Sequence, residues 1–263
     1  MIAKVLKILL ILVIPAGAFV LLSFASEKNR RHEAGYLNVY VDQEQELYFM
    51  TPEIVKSEVL KAYPDIIGNP VGDGDLRQIE AIVGANPFVD RAHVFRQIDG
   101  NIQIRVTQRQ PLIRVVTAQN RSYYIDVNGR LMPLSRFYTA RVIVATGHIH
   151  AGYSPLIDLL SVKPIEEIPI HELRLRDLFV LATYMERNPF LNAFFDHIYV
   201  TPNGQFELTP KNGAHIVEFG GIENMEEKFQ KLLTFYQNGL TRTGWGQYSR
   251  ISVKFRNQVV CSK

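Results

Sequence analysis

The sequence predicts an α+β protein with one N-terminal transmembrane helix, then a domain of order β-α-α-β-β, then a mixed β-rich domain with two helices. Three observations predict this class. An uncharged apolar run lies near the N-terminus, strand-like and helix-like apolar patterns alternate up to residue 110, and strand-like segments dominate beyond it. Of the 263 residues, 47% are hydrophobic and 21% are charged, which excludes a disordered chain and a polytopic membrane protein.

The charge distribution argues against a nucleic-acid-binding protein. The formal net charge is +3, but five basic residues precede residue 32, and the remainder of the chain is close to neutral. These five residues are Lys4, Lys7, Lys28, Arg30 and Arg31. The single cysteine, Cys261, excludes an intramolecular disulfide and a zinc site built from cysteines.

Residues 8–25 carry no charge and, together with residues 5–7, are long enough to cross a bilayer. The five basic residues flank this run on both sides, as is typical of a membrane anchor. The main alternative is a signal peptide cleaved after Ala25, because Ser23 and Ala25 are the small residues that a signal peptidase requires before its cleavage site. A third interpretation of the apolar run is a buried core helix. Since an N-terminal apolar segment normally directs export of the chain behind it, we expect the N-terminus inside and the rest of the chain outside the cytoplasm.

The expected layout has five parts. They are a cytoplasmic head (1–7), a transmembrane helix (8–25), a basic stem (26–36), the β-α-α-β-β domain (37–110) and the β domain (111–263).

In the first of these domains, Leu37 to Val41 alternate apolar and polar residues and predict a strand. Thr51-Pro52-Glu53 is typical of a helix start, with Val55, Val59, Ala62 and Tyr63 as the apolar stripe. A second helix, with Leu76, Ile79, Ile82 and Val83 on its apolar face, is expected to begin with Asp75 as its cap and Gln78 in the reciprocal position, and to end at Asn86-Pro87. Residues 89–96 and 102–106 then predict a hairpin.

Beyond residue 110 strands predominate, interrupted by two helices. The expected strands are 112–116, 122–126, 141–146, 196–200, 205–208, 215–219 and 250–260, with a hairpin turn at 201–204. One helix carries Leu175, Leu178, Phe179, Ala182 and Met185 on one face, and the other carries Met225, Phe229, Leu232, Leu233 and Tyr236.

Two stretches carry a resemblance to a known family. Residues 79–112 read IEAIVGANPFVDRAHVFRQIDGNIQIRVTQRQPL, and residues 123–135 read YYIDVNGRLMPLS. The β-α-α-β-β order with the first stretch resembles a POTRA domain. Together with the second stretch, it resembles the FtsQ/DivIB family of bacterial cell-division proteins. The resemblance runs along the whole chain in order: short head, one membrane span, POTRA domain, β domain.

This resemblance implies a non-enzymatic scaffold of the division machinery, anchored in the cell inner membrane at the septum, that links early and late septal assembly. The implied partners are single-pass division proteins of the FtsB/DivIC and FtsL type and, through them, the septal peptidoglycan synthase. Many family members have a longer cytoplasmic tail than the seven residues expected here. The alternatives are a POTRA-bearing transport or assembly component and a secreted enzyme released after Ala25.

The candidate partner-binding residues form two groups. Residues 250–256 alternate apolar with polar side chains, which predicts an outer strand with a cationic face built from Arg250, Ser252, Lys254 and Arg256. The resemblance implies that an FtsB/DivIC-type partner adds a strand at this edge, with Trp245 and Tyr248 as anchors. The alternative is that both aromatics cap the core and the chain itself covers the strand. Phe88 and Arg109 form the second group. The alternative for Phe88 is that it is a core residue.

Two motifs suggest metal chemistry only weakly. His148 and His150 lie two residues apart on an extended segment and need a third ligand to hold a metal, so a polar loop is the preferred interpretation. Asp126 to Gly129 resembles the start of a calcium loop, but Phe137 stands where the closing glutamate belongs, which favours a tight turn. The hydrolase, nucleotide-binding and zinc-protease motifs are absent from the sequence. We therefore expect no catalysis, no metal site and no cofactor.

Overall fold

The computed structural model describes residue 17 and residues 35–43, 46–162, 164–211, 215–240 and 244–263. The predicted transmembrane helix lies outside the described residues except for Gly17, as do the flanking residues Lys4, Lys7, Lys28, Arg30 and Arg31. Within the described ranges, no helix combines the length and the apolar character needed to cross a membrane. The chain divides into two compact units between Gln108 and Arg109.

The first unit has the predicted β-α-α-β-β order. Its elements are β1 (Leu37–Val41), α1 (Pro52–Ala62), α2 (Asp73–Gly84), β2 (Val89–Arg96) and β3 (Ile102–Gln108). In the described part of this unit, β3 is the central strand of a three-stranded sheet and pairs parallel with β1 and antiparallel with β2. The side chains of Val55, Val59, Ile79 and Val83 are fully buried in its core.

The start of α1 agrees with the sequence, and the start of α2 does not. The Thr51 side chain accepts a hydrogen bond from Ile54 N, and Pro52 is the first helical residue. For α2, the prediction that Asp75 is the N-cap is wrong. The N-cap is Gly72. Its N–H donates a hydrogen bond of 2.8 Å to Oδ2 of Asp75, which lies in the first turn of the helix. Gln78 instead accepts a hydrogen bond from the Tyr63 hydroxyl.

The second unit contains more strands than helices. Its strands are β4 (Pro111–Val116), β5 (Ser122–Asp126), β6 (Leu131–Met132), β7 (Ile143–Gly147), β8 (Phe195–Val200), β9 (Phe206–Pro210), β10 (Ile216–Gly220), β11 (Arg250–Ser252) and β12 (Val260–Ser262). Its α-helices are α3 (Ile170–Arg187), α4 (Pro189–Phe194) and α5 (Met225–Phe235), with a 3-10 turn at Ile165–Glu167 and a π-helical turn at Tyr236–Leu240.

Among the described residues, the strands of the second unit form one mixed sheet of order β12-β11-β10-β9-β8-β7-β4-β5-β6. The pairs β4/β7, β7/β8 and β10/β11 are parallel and the others antiparallel. Helices α3 and α5 pack on the sheet, since Leu178 and Leu232 lie in the same buried cluster as Ile113 and Val217. Burying one such side chain contributes roughly 1.5 to 3 kcal/mol, so this cluster holds the two helices in place.

One predicted strand is wrong in its length. Residues 250–260 were expected to form a single strand, but the structure has β11 and β12 with a turn between them. Asn257 lies in this turn with φ +57°, a left-handed conformation that asparagine tolerates better than most residues. The Lys231 ammonium donates to Val253 O at 3.2 Å and to Phe255 O at 2.6 Å, which holds the chain where it leaves β11.

Candidate functional site

Strand β11, which contains the first three residues of the predicted outer strand, is not the edge of the sheet. It lies between β10 and β12, and Ser252 pairs with Glu218 on one side and with Val260 on the other. The prediction of an open outer strand at Arg250 to Arg256 is therefore wrong, because after seven intervening residues the chain returns as β12 and pairs with β11. Ser252 is 5% exposed, and Phe255 is 43% exposed.

The predicted cationic face is neutralised by carboxylates of the same sheet. Arg250 forms ion pairs with Glu207 of β9 and with Glu218 of β10, the latter at 2.8 Å. The Lys254 ammonium lies 3.1 Å from Glu218 Oε2. The hydrogen bond from Arg250 is the main reason why the pKa of Glu218 is below its ordinary value. Among the described residues, Arg256 differs from Arg250 and Lys254, because its side chain is exposed and forms no ion pair there.

The edge of the described sheet at this end is β12, and its outward-facing peptide groups can be identified. Ile216 N–H donates to Ser249 O at 2.9 Å and Val253 N–H donates to Glu218 O at 3.1 Å, so the Ser249 carbonyl and the Val253 N–H face β10. Arg250 and Ser252 then face β12, where they pair with Ser262 and Val260. Because peptide groups alternate in direction along a strand, the N–H and C=O of Cys261 point away from β11.

Trp245 and Tyr248 lie in the segment that leads into β11. Trp245 is 43% exposed, and its ring packs on Tyr236 at a centroid distance of 5.3 Å and on Phe194 at 6.1 Å. The half-buried Tyr248 ring lies 6.2 Å from that of Phe235. The backbone N–H of Ser249, the residue after Tyr248, donates to Ser262 O at 2.9 Å. This bond brings Tyr248 next to the end of β12.

A buried histidine lies beside the Trp245 ring. His215 is 2% exposed, and its Nε2 lies 2.9 Å from the Tyr236 hydroxyl. The centroids of the His215 and Trp245 rings are 6.4 Å apart. Burial lowers the pKa of His215, so the imidazole is neutral in the folded protein at neutral pH. No sequence pattern indicated this arrangement, because His215 is one of seven histidines and no motif distinguishes it from the others.

Phe88 and Arg109, the other two candidates, each have internal contacts. Phe88 is half-buried and stacks on Phe49 with ring centroids 5.2 Å apart. Arg109 Nε lies 3.6 Å from Asp126 Oδ2, and its Nη1 donates to Leu131 O at 3.2 Å. Both side chains therefore have structural roles, and their part in partner binding stays a prediction.

The Asp126 motif is a tight turn. Asp126 Oδ1 accepts hydrogen bonds from Asn128 N at 2.9 Å and Arg130 N at 2.8 Å, and Gly129 has φ +73°. Burial raises the pKa of this carboxyl, and the two backbone donors and Arg109 act in the opposite direction. The Asp126 carboxylate is therefore engaged by the turn between β5 and β6 and by Arg109, in agreement with the interpretation preferred from the sequence.

The two predicted loop histidines are joined by a third one from a distant element. His148 and His150 line one cavity together with His171 of α3. Across the described ranges, no group of three or more histidine, cysteine or acidic residues is placed to hold a metal ion. The sequence pointed to His148 and His150, but nothing in it indicated that His171 of a distant helix joins them.

The two compact units match two separate families of known sequences. Residues 34–107 match the POTRA-like domain, and residues 110–262 match the family described as FtsQ/DivIB, C-terminal related. The second match alone covers more than half of the chain. This chain belongs to the FtsQ/DivIB family. Its POTRA-like unit and its β-rich unit follow each other in the order implied by the sequence resemblance.

A curated relative agrees with this assignment. The chain is 26% identical over 218 residues to the cell division protein FtsQ of Rhodothermus marinus, and the alignment covers 74% of this chain and 75% of the relative. The FtsQ/DivIB assignment places the chain among cell-division proteins.

Proposed function

We propose that this FtsQ/DivIB-family protein is a non-enzymatic, membrane-anchored scaffold of the bacterial division machinery that links early and late septal assembly. In this proposal residues 8–25 cross the cell inner membrane at the septum, with the N-terminus in the cytoplasm and both folded units outside it. The basic residues around the apolar run and the family assignment support this arrangement. The proposed partners are single-pass division proteins of the FtsB/DivIC and FtsL type, and through them the septal peptidoglycan synthase.

One observation carries the binding part of the proposal, namely the short edge strand β12. Its Cys261 peptide group points away from the sheet, and Val260 is 44% exposed. An extended partner segment that pairs here would extend the sheet by one strand and gain main-chain hydrogen bonds. Since β12 has only three residues, side-chain contacts must supply much of the affinity.

Trp245 is the best-placed side chain for such contacts. Its ring packs on Tyr236 and Phe194, which holds the indole in position, while the residue as a whole stays 43% exposed. A partly buried, rigid aromatic ring loses little conformational entropy on binding and is a typical hot spot. Tyr248 precedes Ser249, whose N–H donates to Ser262 O, and belongs to the same proposed surface. Arg250 and Lys254 act indirectly, because their ion pairs hold β9, β10 and β11 in register.

A proline at position 261 tests strand addition. Cys261→Pro removes the outward N–H, whereas Cys261→Ala keeps it and serves as the matched control. We expect Cys261→Pro to abolish co-purification of the FtsB/DivIC-type partner with the full-length protein, while its thermal midpoint stays near that of Cys261→Ala. Trp245→Ala should weaken binding by about 2 kcal/mol. If the folded proline and alanine variants retain the partner equally well, the partner binds elsewhere.

Depletion of the protein in its source cell tests the role in division. The proposal expects long undivided filaments, rescued by the wild-type gene and by Cys261→Ala but not by Cys261→Pro. Normal division after depletion would contradict the scaffold role, whereas rescue by Cys261→Pro would contradict only the strand-addition site.

A further inference from the structure

A second surface feature of the β-rich unit is a cavity of about 300 Å³. It lies between the segment after β7, the first turns of α3 and the turn that joins β8 to β9. Its apolar wall includes Leu175, Leu178 and Val200, each at most 2% exposed. Its polar lining consists of His148, His150, His171 and Arg174. This volume is at the lower end of the range of small-molecule sites.

The backbone fixes the position of His148 in this cavity. Gly147 has φ +100°, and a Cβ atom at this position would lie 2.3 Å from Val200 O, so the chain requires glycine here. His148 N–H then donates to Val200 O at 2.8 Å. The ring nitrogen Nδ1 of His148 is buried and has no hydrogen-bond partner. This nitrogen is out of reach of a ligand, so the exposed side chains of His150 and His171 supply the imidazole contacts of the cavity.

The cavity is electropositive. The Arg174 guanidinium lies against Gly204, and its Nη1 donates to Pro202 O at 3.3 Å, which places the cation at the wall. The start of α3 lies here too, and its N-cap Pro169 provides no side-chain hydrogen bond. Within the described residues, no carboxylate lines the cavity. Asp177, one turn further along α3, is the acid that interacts with Arg174, and burial raises its pKa.

These features favour an anion over a metal ion. The histidines are not placed as a metal-binding group, and a guanidinium in the wall repels a cation. The same guanidinium offers two parallel N–H donors to a carboxylate. A free phosphate would satisfy these donors but leave the apolar wall unfilled.

We propose that this cavity binds a small carboxylate with an apolar body of about five carbon atoms, held by Arg174 and the histidines at its charged side and by Leu175, Leu178 and Val200 at its apolar side. This inference is independent of the division partners, because the proposed strand-addition residues 245–262 do not line the cavity.

Calorimetric titration of the purified full-length protein tests the proposal with three probes. 4-Methylpentanoate has the charge and the apolar body, 4-methylpentan-1-ol has only the apolar body, and inorganic phosphate has only the charge. We expect 4-methylpentanoate to bind at least about tenfold more tightly than the alcohol, the effect of one charge-assisted hydrogen bond. We expect it to bind at least about tenfold more tightly than phosphate as well, because phosphate leaves the apolar wall unfilled. Equal affinities for the acid and the alcohol, or for the acid and phosphate, would overturn the proposal, as would no binding of the acid at about 10 mM.

Two variants on the same helix locate the binding. Arg174→Gln should weaken 4-methylpentanoate binding about tenfold or more, while Arg187→Gln, at the exposed end of α3, should leave it unchanged. If Arg174→Gln does not fold, His171→Gln is used as the test variant. Because His171 is exposed, we expect a smaller loss of affinity for 4-methylpentanoate in this variant. Unchanged affinity in the folded variant overturns the proposal. One-to-one binding of Zn²⁺ that is lost in His148→Ala, without carboxylate binding, would identify a metal site instead and overturn it as well.

Discussion

Ile79 illustrates how one residue of α2 holds the POTRA-like unit together. Its side chain is fully buried with Val83 against the three-stranded sheet. Ile79→Ala removes buried methyl groups and leaves a cavity, so we expect a loss of about 2 to 4 kcal/mol in the free energy of unfolding. Ile98→Ala is the matched control, because Ile98 is 96% exposed and should change stability by less than about 0.5 kcal/mol. Equal urea midpoints for the two variants would mean that α2 does not pack as described.

Glu218 illustrates a residue whose charge stabilises the sheet. It accepts from Arg250 and from Lys254, and its folded-state pKa is lowered, chiefly by Arg250. Its contribution is therefore present at neutral pH and is lost as the pH falls through its folded-state pKa, below the ordinary value of 4.5. Because both cations are partly exposed, we expect Glu218→Gln to cost only about 1 kcal/mol at pH 7.

The control for this prediction is Glu186→Gln, an exposed carboxylate near the end of α3. Urea melts at pH 7 and pH 3 should show a difference between Glu218→Gln and wild type that shrinks at the lower pH. A difference that stays constant would mean that Glu218 contributes by packing and not by charge.

At the scale of elements, local patterns predicted most of the structure. Some features depend only on residues that are close in sequence, and these could be predicted. They are the start of α1 at Thr51-Pro52, the apolar stripes of α3 and α5, and the alternation in β1. The edge of the larger sheet could not be predicted in this way. Nothing in the alternation of residues 250–256 reveals that Asn257 turns the chain back, or that Glu207 and Glu218 neutralise Arg250 from neighbouring strands.

The turn before β12 is the element on which the proposed binding edge depends. Asn257 has φ +57°, where a β-branched side chain is strained by about 1 to 2 kcal/mol. We expect Asn257→Val to destabilise the β-rich unit by about this amount and to increase hydrogen exchange at residues 260–262. Asn257→Gly should leave both close to wild type, and Gln258→Val controls for added hydrophobicity. Unchanged exchange in Asn257→Val would show that β12 forms without this turn.

At the scale of the whole molecule, the two units are expected to respond differently to acid. His215 and His197 are both in the β-rich unit, and burial lowers the pKa of each below 6.5. The unfolded chain therefore binds protons that the folded unit excludes, so stability is full above about pH 6.5 and falls as the pH decreases below it. Each histidine contributes at most about 1.4 kcal/mol per pH unit. His93, an exposed histidine of the POTRA-like unit, provides the internal comparison.

Trp245 makes this prediction measurable, because it is the only tryptophan of the chain and lies in the β-rich unit beside His215. Urea unfolding followed by its fluorescence should give a lower free energy of unfolding at pH 5.5 than at pH 7.5. In His215→Gln, whose amide can still bond to the Tyr236 hydroxyl, the difference between the two pH values should become smaller, while His93→Gln should keep the wild-type difference. If His215→Gln loses as much stability on acidification as wild type, the neutral His215 is not a source of acid sensitivity. The pH dependence would then have to come from His197 or from the carboxylates.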